Sequence, residues 1–151
     1  MADTTTTNRP SMTRSQKDRL TSDLRTACMR ISRRVRYEAG ANVAPHQFSV
    51  LVRLEDGPRT PKELAGIEKV SAPSMTRTVN GLVELGLVAR ADDPTDGRQV
   101  ILSLTPEGRA TVKDTRRRRD QWFAARLETL TDDERALLAE ATALLERVAA
   151  E

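Results

Sequence analysis

Apolar residues recur along this chain at helical spacing, interrupted once by a stretch with a period of two. From Arg14 to Ala39 the apolar positions are Leu20, Leu24, Cys28, Ile31 and Val35, whose steps of four, four, three and four form one helical stripe. Thr13 followed by Gln16 is a capping-box pattern at its start, and Gly40 suits the position just past its end. A second helix is expected over PHQFSVLVRLED, with Pro45 in the first turn, Phe48, Leu51, Val52 and Leu54 as apolar contacts, and Gly57-Pro58 as the stop. Thr60-Pro61-Lys62-Glu63 joins a cap, a first-turn proline and a box glutamate. The short helix it starts should turn Leu64, Ala65 and Ile67 inward and give way around Glu68 to Val70. Ser71 then caps SAPSMTRTVNGLVELG, where Met75, Val79, Leu82 and Gly86 cluster on a core side while Pro73, Ser74, Arg77, Asn80 and Gly81 point away.

The period changes after Gly86. Leu87-Val88-Ala89-Arg90 reads as a strand, and Val100, Leu102 and Leu104 alternate with Ile101 and Ser103 as a second. The segment between them contains Asp96-Gly97, a strong turn pair, and holds Arg98 beside the tip of a hairpin. Helical spacing returns at Thr105-Pro106. From Lys113 to Gln121 there is no apolar residue for more than two turns, the signature of a solvent-bridging connector. Apolar residues resume at Trp122, Phe123, Leu127 and Leu130. Thr131 to Glu134 is another capping box, opening a last helix with Leu137, Leu138, Ala141, Leu144, Leu145 and Val148. That broad stripe and the stripe of the first helix (Leu20, Leu24) both need a covering surface, and a homodimer built from the two chain ends supplies one.

The resulting fold class is mainly α: a winged helix-turn-helix with a two-stranded wing and a helical dimerisation region. The expected organisation is a disordered polar tail at residues 1–12, dimerisation helices at 13–44 and 106–151, and a DNA-binding domain at 45–105.

Charge and composition refine this picture. The chain has 151 residues, few aromatics and a net charge of +3, so an acidic partner is compatible but not demanded. One cysteine, Cys28, excludes an internal disulfide framework and fits a reducing, cytoplasmic compartment. No apolar run reaches membrane-spanning length. His46 stands without Cys, Asp or Glu at ligand spacing, so no metal is expected. There is no Gly-rich phosphate loop and no nucleophile-base-acid set, so neither catalysis nor a cofactor is expected.

The outer face of the fourth helix reads either as plain surface or as a nucleic-acid contact. Its short and hydrogen-bonding residues let a backbone approach a duplex, and an arginine can reach guanine edges or phosphate. The wing separates the two readings, because a cation on a rigid hairpin suits a narrow minor groove. Asp93 and Asp96 make sense there as partners that aim an arginine, Arg98 or Arg77. From Arg59 to Arg98 six basic residues balance six acidic ones, so any DNA-binding surface depends on how charges are placed.

This order of elements, together with Asp93-Pro-Thr-Asp96-Gly-Arg98 and Leu104-Thr105-Pro106-Glu107-Gly108, resembles the MarR family of winged helix-turn-helix regulators. Ser71 to Leu87 is similar to its recognition helix, and Pro45-His-Gln-Phe48 to its second-helix entry. The resemblance covers roughly residues 14–150. It implies a homodimer on a pseudo-palindromic double-stranded DNA operator, acting as a repressor near its own gene. By motif position, Ser74, Thr76, Arg77 and Asn80 lie at the major groove with Pro73 beside them. Arg98 enters the minor groove with Asp96 in the same wing, and Ser71 and Thr60 to Lys62 meet phosphates. Gly97 departs from the many members with a second basic residue there, leaving one cation at the tip.

The resemblance further implies release by a small lipophilic or phenolic effector. By helix position, Tyr37, His46, Phe48, Leu51 and Trp122 would line its pocket. Two other readings stand beside this one: a redox-sensing repressor using Cys28, and a helical dimerisation or adaptor protein that binds no DNA.

Overall fold

The computed structural model describes residues 11–40, 42–94, 96 and 99–150. It contains six helices and one two-stranded sheet among them: α1 (Arg14–Glu38), α2 (Pro45–Arg53), α3 (Pro61–Glu68), α4 (Ala72–Glu84), β1 (Val88–Asp92), β2 (Val100–Leu104), α5 (Pro106–Leu127) and α6 (Asp132–Ala150). The mainly helical winged helix-turn-helix architecture matches the expectation. Two compact units are described separately, residues 1–34 and residues 35–151.

In the first unit α1 starts with the expected box: the Thr13 N–H donates to Gln16 Oε1 at 2.8 Å and the Gln16 N–H to Thr13 Oγ1 at 3.3 Å. Its stripe residues Leu20, Leu24 and Ile31 are exposed, as are Met29 and Cys28. Of the expected tail, residues 1–10 lie outside the described residues.

The second unit has one core. Phe48, Val50, Leu51 and Leu54 of α2 and its following turn meet Leu64 and Ala65 of α3, Met75, Val79 and Leu82 of α4, Val88, Leu102 and Leu104 of the sheet, and Val112 of α5. Thr60 forms its box with Glu63, accepting from the Glu63 N–H at 3.2 Å while its own N–H donates to Glu63 Oε2 at 2.7 Å. Thr131 and Glu134 repeat the arrangement before α6, at 2.8 and 3.3 Å. No residue of α6 is buried, so Leu137, Leu138, Leu144, Leu145 and Val148 are all exposed.

Four sequence expectations are corrected. α2 ends at Arg53, and Leu54 to Asp56 form turns. Ile67 is 39% exposed. At 100° per residue, Glu68 lies between Leu64 and Ala65 in direction and takes the inward place that Ile67 was given. Its carboxylate accepts from Ser49 Oγ at 2.5 Å and Arg53 Nε at 2.9 Å, which makes an inward carboxylate acceptable.

Gly86 is an exposed turn residue at φ +70°, not part of the core. The Leu87 N–H reaches Leu82 O and the Gly86 N–H reaches Val83 O, both at 2.9 Å, the paired bonds of a Schellman stop. Finally, Lys113 to Gln121 is no free-standing connector. Thr115 is buried, Arg119 stacks over Phe48 at 4.1 Å, and Arg116 grips Glu55 with bonds of 2.9 and 2.6 Å. The guanidinium heads of Arg116 and Arg119 tie this stretch to α2 and the turn after it.

Burial raises the pKa of Glu68, but the hydrogen bonds from Ser49 and Arg53 outweigh it, leaving the group below its ordinary 4.5. A carboxylate held below its unfolded value contributes stability that is complete above that value and is lost as pH falls through the folded one. Glu68→Gln is therefore expected to cost about 1 kcal/mol near neutrality. The gap to wild type should narrow as pH falls below the ordinary 4.5 of the glutamate and close once the folded carboxylate is protonated. Urea melts at neutral and at acid pH check this, and an equal gap at both would remove the ionised Glu68 from the account.

Candidate nucleic-acid interface

Ser71 holds the start of α4 by accepting from the Ser74 N–H at 3.4 Å, and Pro73 sits in the first turn. Lys69, just before, takes the left-handed conformation at φ 52° that lets α3 end and α4 begin three residues later. Met75, Val79 and Leu82 then anchor α4 in the core, which fixes the direction of its other face. On that face Ser71, Pro73, Thr76, Arg77 and Asn80 are exposed and Ser74 is half-buried. Arg77 Nη2 donates to Ser74 Oγ at 3.3 Å. The Thr76 hydroxyl donates to the Ala72 carbonyl at 2.9 Å, so its methyl and lone pairs face away.

Gly81 lies on the Ser74 and Arg77 side, half-buried where that side meets α2. A Cβ there would lie 3.1 Å from Gln47 Nε2, so Gly81 makes room for the side chain whose Oε1 accepts from the Ala44 N–H at the start of α2. Between the two helices lies a recess of about 390 Å³ lined by His46, Gln47, Ser74, Arg77 and Thr78. Thr60 is half-buried and Lys62 exposed at the start of α3.

The wing pairs Val88 with Leu104, Arg90 with Leu102 and Asp92 with Val100. One sheet face therefore carries Val88, Leu102 and Leu104 into the core. Arg59 adds a bridge on the other edge of β2, exchanging backbone bonds with Leu102 at 3.0 and 2.8 Å. At the tip the Asp93 N–H donates to Gln99 O at 2.9 Å, the Asp96 N–H to Asp93 Oδ1 at 3.3 Å, and Gln99 Nε2 to Asp96 Oδ2 at 3.0 Å. Arg98 and Gly97, the expected minor-groove cation and its neighbour, lie outside the described residues.

The role of Arg90 and, beyond the helix cap expected of it, the further contacts of Thr105 escaped the sequence reading. Arg90, counted there only as a charge, donates from Nη2 to Asn80 Oδ1 and ties β1 to the outer face of α4. Thr105 joins three elements: its N–H donates to Leu87 O at 3.2 Å, its hydroxyl donates to Gly86 O at 2.7 Å, and Oγ1 accepts from the Gly108 N–H at 3.0 Å. The wing-following Leu-Thr-x-x-Gly signature thus has a physical basis. A Cβ on Gly108 would stand 2.1 Å from the Leu87 carbonyl oxygen.

The five effector candidates differ in burial and in what they touch. Leu51 has 0% exposure and Phe48 is buried, both as core, whereas Tyr37 is 71% exposed. His46 faces the recess beside Arg77. Trp122 donates from its indole N–H to Glu38 Oε2 at 3.2 Å and lies under Arg126 at 3.4 Å. Helix position alone could not separate core from surface here, because α2 contributes to both.

A capped recognition helix fixed by the core, with a hairpin beside it, defines the class of winged helix-turn-helix DNA-binding transcriptional regulators. The model of the MarR family matches residues 41–99. An HTH-type transcriptional regulator of Mycobacterium tuberculosis is 44% identical over 129 residues, covering 84% of this chain and 90% of that protein. The multiple antibiotic resistance protein MarR of Salmonella typhimurium is 33% identical over 104 residues, 68% of this chain and 72% of its own length. Among solved structures, a cysteine-to-serine mutant of MarR from Escherichia coli aligns with a TM-score of 0.69 at 26% identity, covering 93% of this chain and 98% of that one. The chain belongs to the MarR family. Among the described residues no helix is long and apolar enough to cross a membrane.

Proposed function

We propose that this regulator binds a pseudo-palindromic operator as a homodimer and represses its own or neighbouring genes until a small effector releases it. The observation that carries the reading is the outer face of α4. Exposed Arg77, Asn80 and Thr76 stand on a helix whose opposite face is locked by Met75, Val79 and Leu82. A helix so held presents groups of fixed direction to a major groove. Ser71, Pro73 and Ser74 lie at its start, with Thr60 and Lys62 of α3 placed for phosphates. Asp96 shapes the wing that carries Arg98 toward the minor groove.

Residues 45–105 are the DNA-binding unit in this reading, and 13–44 with 106–151 the dimerisation region. The exposed apolar residues of α1 and of α6 support it, since exposed apolar stripes call for a covering surface. A lipophilic or phenolic effector remains part of the proposal, with His46 at the recess and Tyr37 and Trp122 outside the core as its remaining contacts. Phe48 and Leu51 support that region from within. The Cys28 alternative gains from the exposure of the thiol, which its position on the apolar stripe had argued against.

The test is titration of the DNA upstream of the gene in a gel shift at fixed salt. Arg98→Ala is expected to weaken binding by about 1–3 kcal/mol with the dimer intact. Unchanged affinity would reject the wing assignment, and no salt-dependent shift with wild type would favour the adaptor reading.

A further inference from the structure

We propose that Arg90 sets the base preference of the recognition helix by orienting the Asn80 amide, so that Asn80 reads a hydrogen-bond acceptor, with guanine favoured. The inference rests on the proposed placement of α4 in the major groove and adds which edge of one side chain meets the base.

The argument starts from donor chemistry. A guanidinium has only donors, so the Asn80 atom facing Arg90 Nη2 is the carbonyl oxygen, and the amide orientation follows without ambiguity. Register explains how Arg90 gets there. It pairs with the fully buried Leu102 and so projects from the same sheet face, one step beyond Val88 toward the tip. The core under that face ends at this point, and Arg90 extends over the rim to α4. The result joins two elements ten residues apart in sequence. Among the described residues Arg90 forms no ion pair, so its charge also stays available to a phosphate.

The consequence lies in what Asn80 has left to offer. An unrestrained asparagine reads adenine with both amide atoms, accepting from N6 and donating to N7. Here the carbonyl edge is turned toward β1, and the exposed edge is the NH2 group. A donor edge fits the adjacent O6 and N7 acceptors of guanine. It gains one bond at most from adenine, and it meets another donor at the N4 group of cytosine.

Selection from a library of randomised operators tests this, followed by titration of the enriched sequences. Asn80→Ala identifies the base pair concerned, as the one whose preference is lost. At that pair wild type is expected to favour guanine. Arg90→Met, which keeps the stem and removes every donor, should raise the adenine-to-guanine ratio on the order of tenfold. Arg90→Lys, which restores a donor, should return the preference toward guanine. Arg90→Glu puts an acceptor where the guanidinium was, so it should turn the Asn80 amide over, expose its carbonyl edge and move the preference away from guanine. That variant decides the matter even where Arg90→Met loses its fold, which a thermal melt reveals. Identical preferences in wild type and Arg90→Met, or no base preference dependent on Asn80, overturn the proposal. Failure of wild type to enrich any sequence overturns the operator-binding reading itself.

Discussion

Gly108→Ala is expected to be among the most damaging single changes in the chain, lowering stability by roughly 3 kcal/mol, the upper end of what over-packing costs. For a chain of this size that is a fall in melting temperature of about 10 °C. The added methyl would sit 2.1 Å from the Leu87 carbonyl oxygen and 3.0 Å from a Leu104 methyl. Neither neighbour can yield easily. The same Leu87 oxygen accepts from the Thr105 N–H, and Leu104 is buried at the end of β2. Relief requires the start of α5 to shift, which breaks the Thr105 bonds to Gly86 and Gly108.

Gly66→Ala is the control. Gly66 is helical and has open space around it, so alanine there should stabilise by about 0.5–1 kcal/mol through helix propensity. Calorimetry of the two variants should move in opposite directions. Equal effects would mean that glycine at 108 is not chosen for its missing side chain.

The second large effect concerns the proposed operator contact. Arg77→Glu removes a cation from the exposed face of α4 and places an anion against the phosphates. Affinity for the operator should fall more than about 100-fold, since a lost groove contact and a like-charge repulsion add. Stability should change by no more than about 0.5 kcal/mol, because Arg77 is exposed and its hydrogen bond to Ser74 is a long one. Fluorescence anisotropy at a single salt concentration, beside a thermal melt, separates the two quantities. Operator binding that survives the reversal would move the interface away from α4.

What could be read from the chain divides by distance along it. The capping boxes at Thr13, Thr60 and Thr131 and the Ser71 cap involve residues three apart, and all take the expected form. The second strand followed from alternation in the same way, whereas β1 starts one residue later than expected and runs on to Asp92. The errors come from contacts made across the fold. Gly86 shares a helical wheel with the core residues of α4, yet it leaves the helix altogether. Ile67 lost its place to Glu68 because Ser49 and Arg53 wait on another helix. The α5 stretch looked solvated because hydropathy counts the charged heads of Arg116 and Arg119 as polar, whereas one pairs with Glu55 and the other stacks on Phe48. Arg90 carried no local sign of its role, since its partner lies on the preceding helix. The family motif around the wing was legible, but the reason for its glycine was not.

Thr105 has one further consequence. A single hydroxyl fastens the exit of α4 to the start of α5, while its backbone N–H binds the residue that opens the hairpin. These hydrogen bonds tie the three parts into one jaw. In the proposed dimer an effector would have little scope to reshape the part assigned to DNA, and control would pass to the gap between two jaws. The regulator would then work as a caliper, whose setting, not the form of its tips, decides what it can grip.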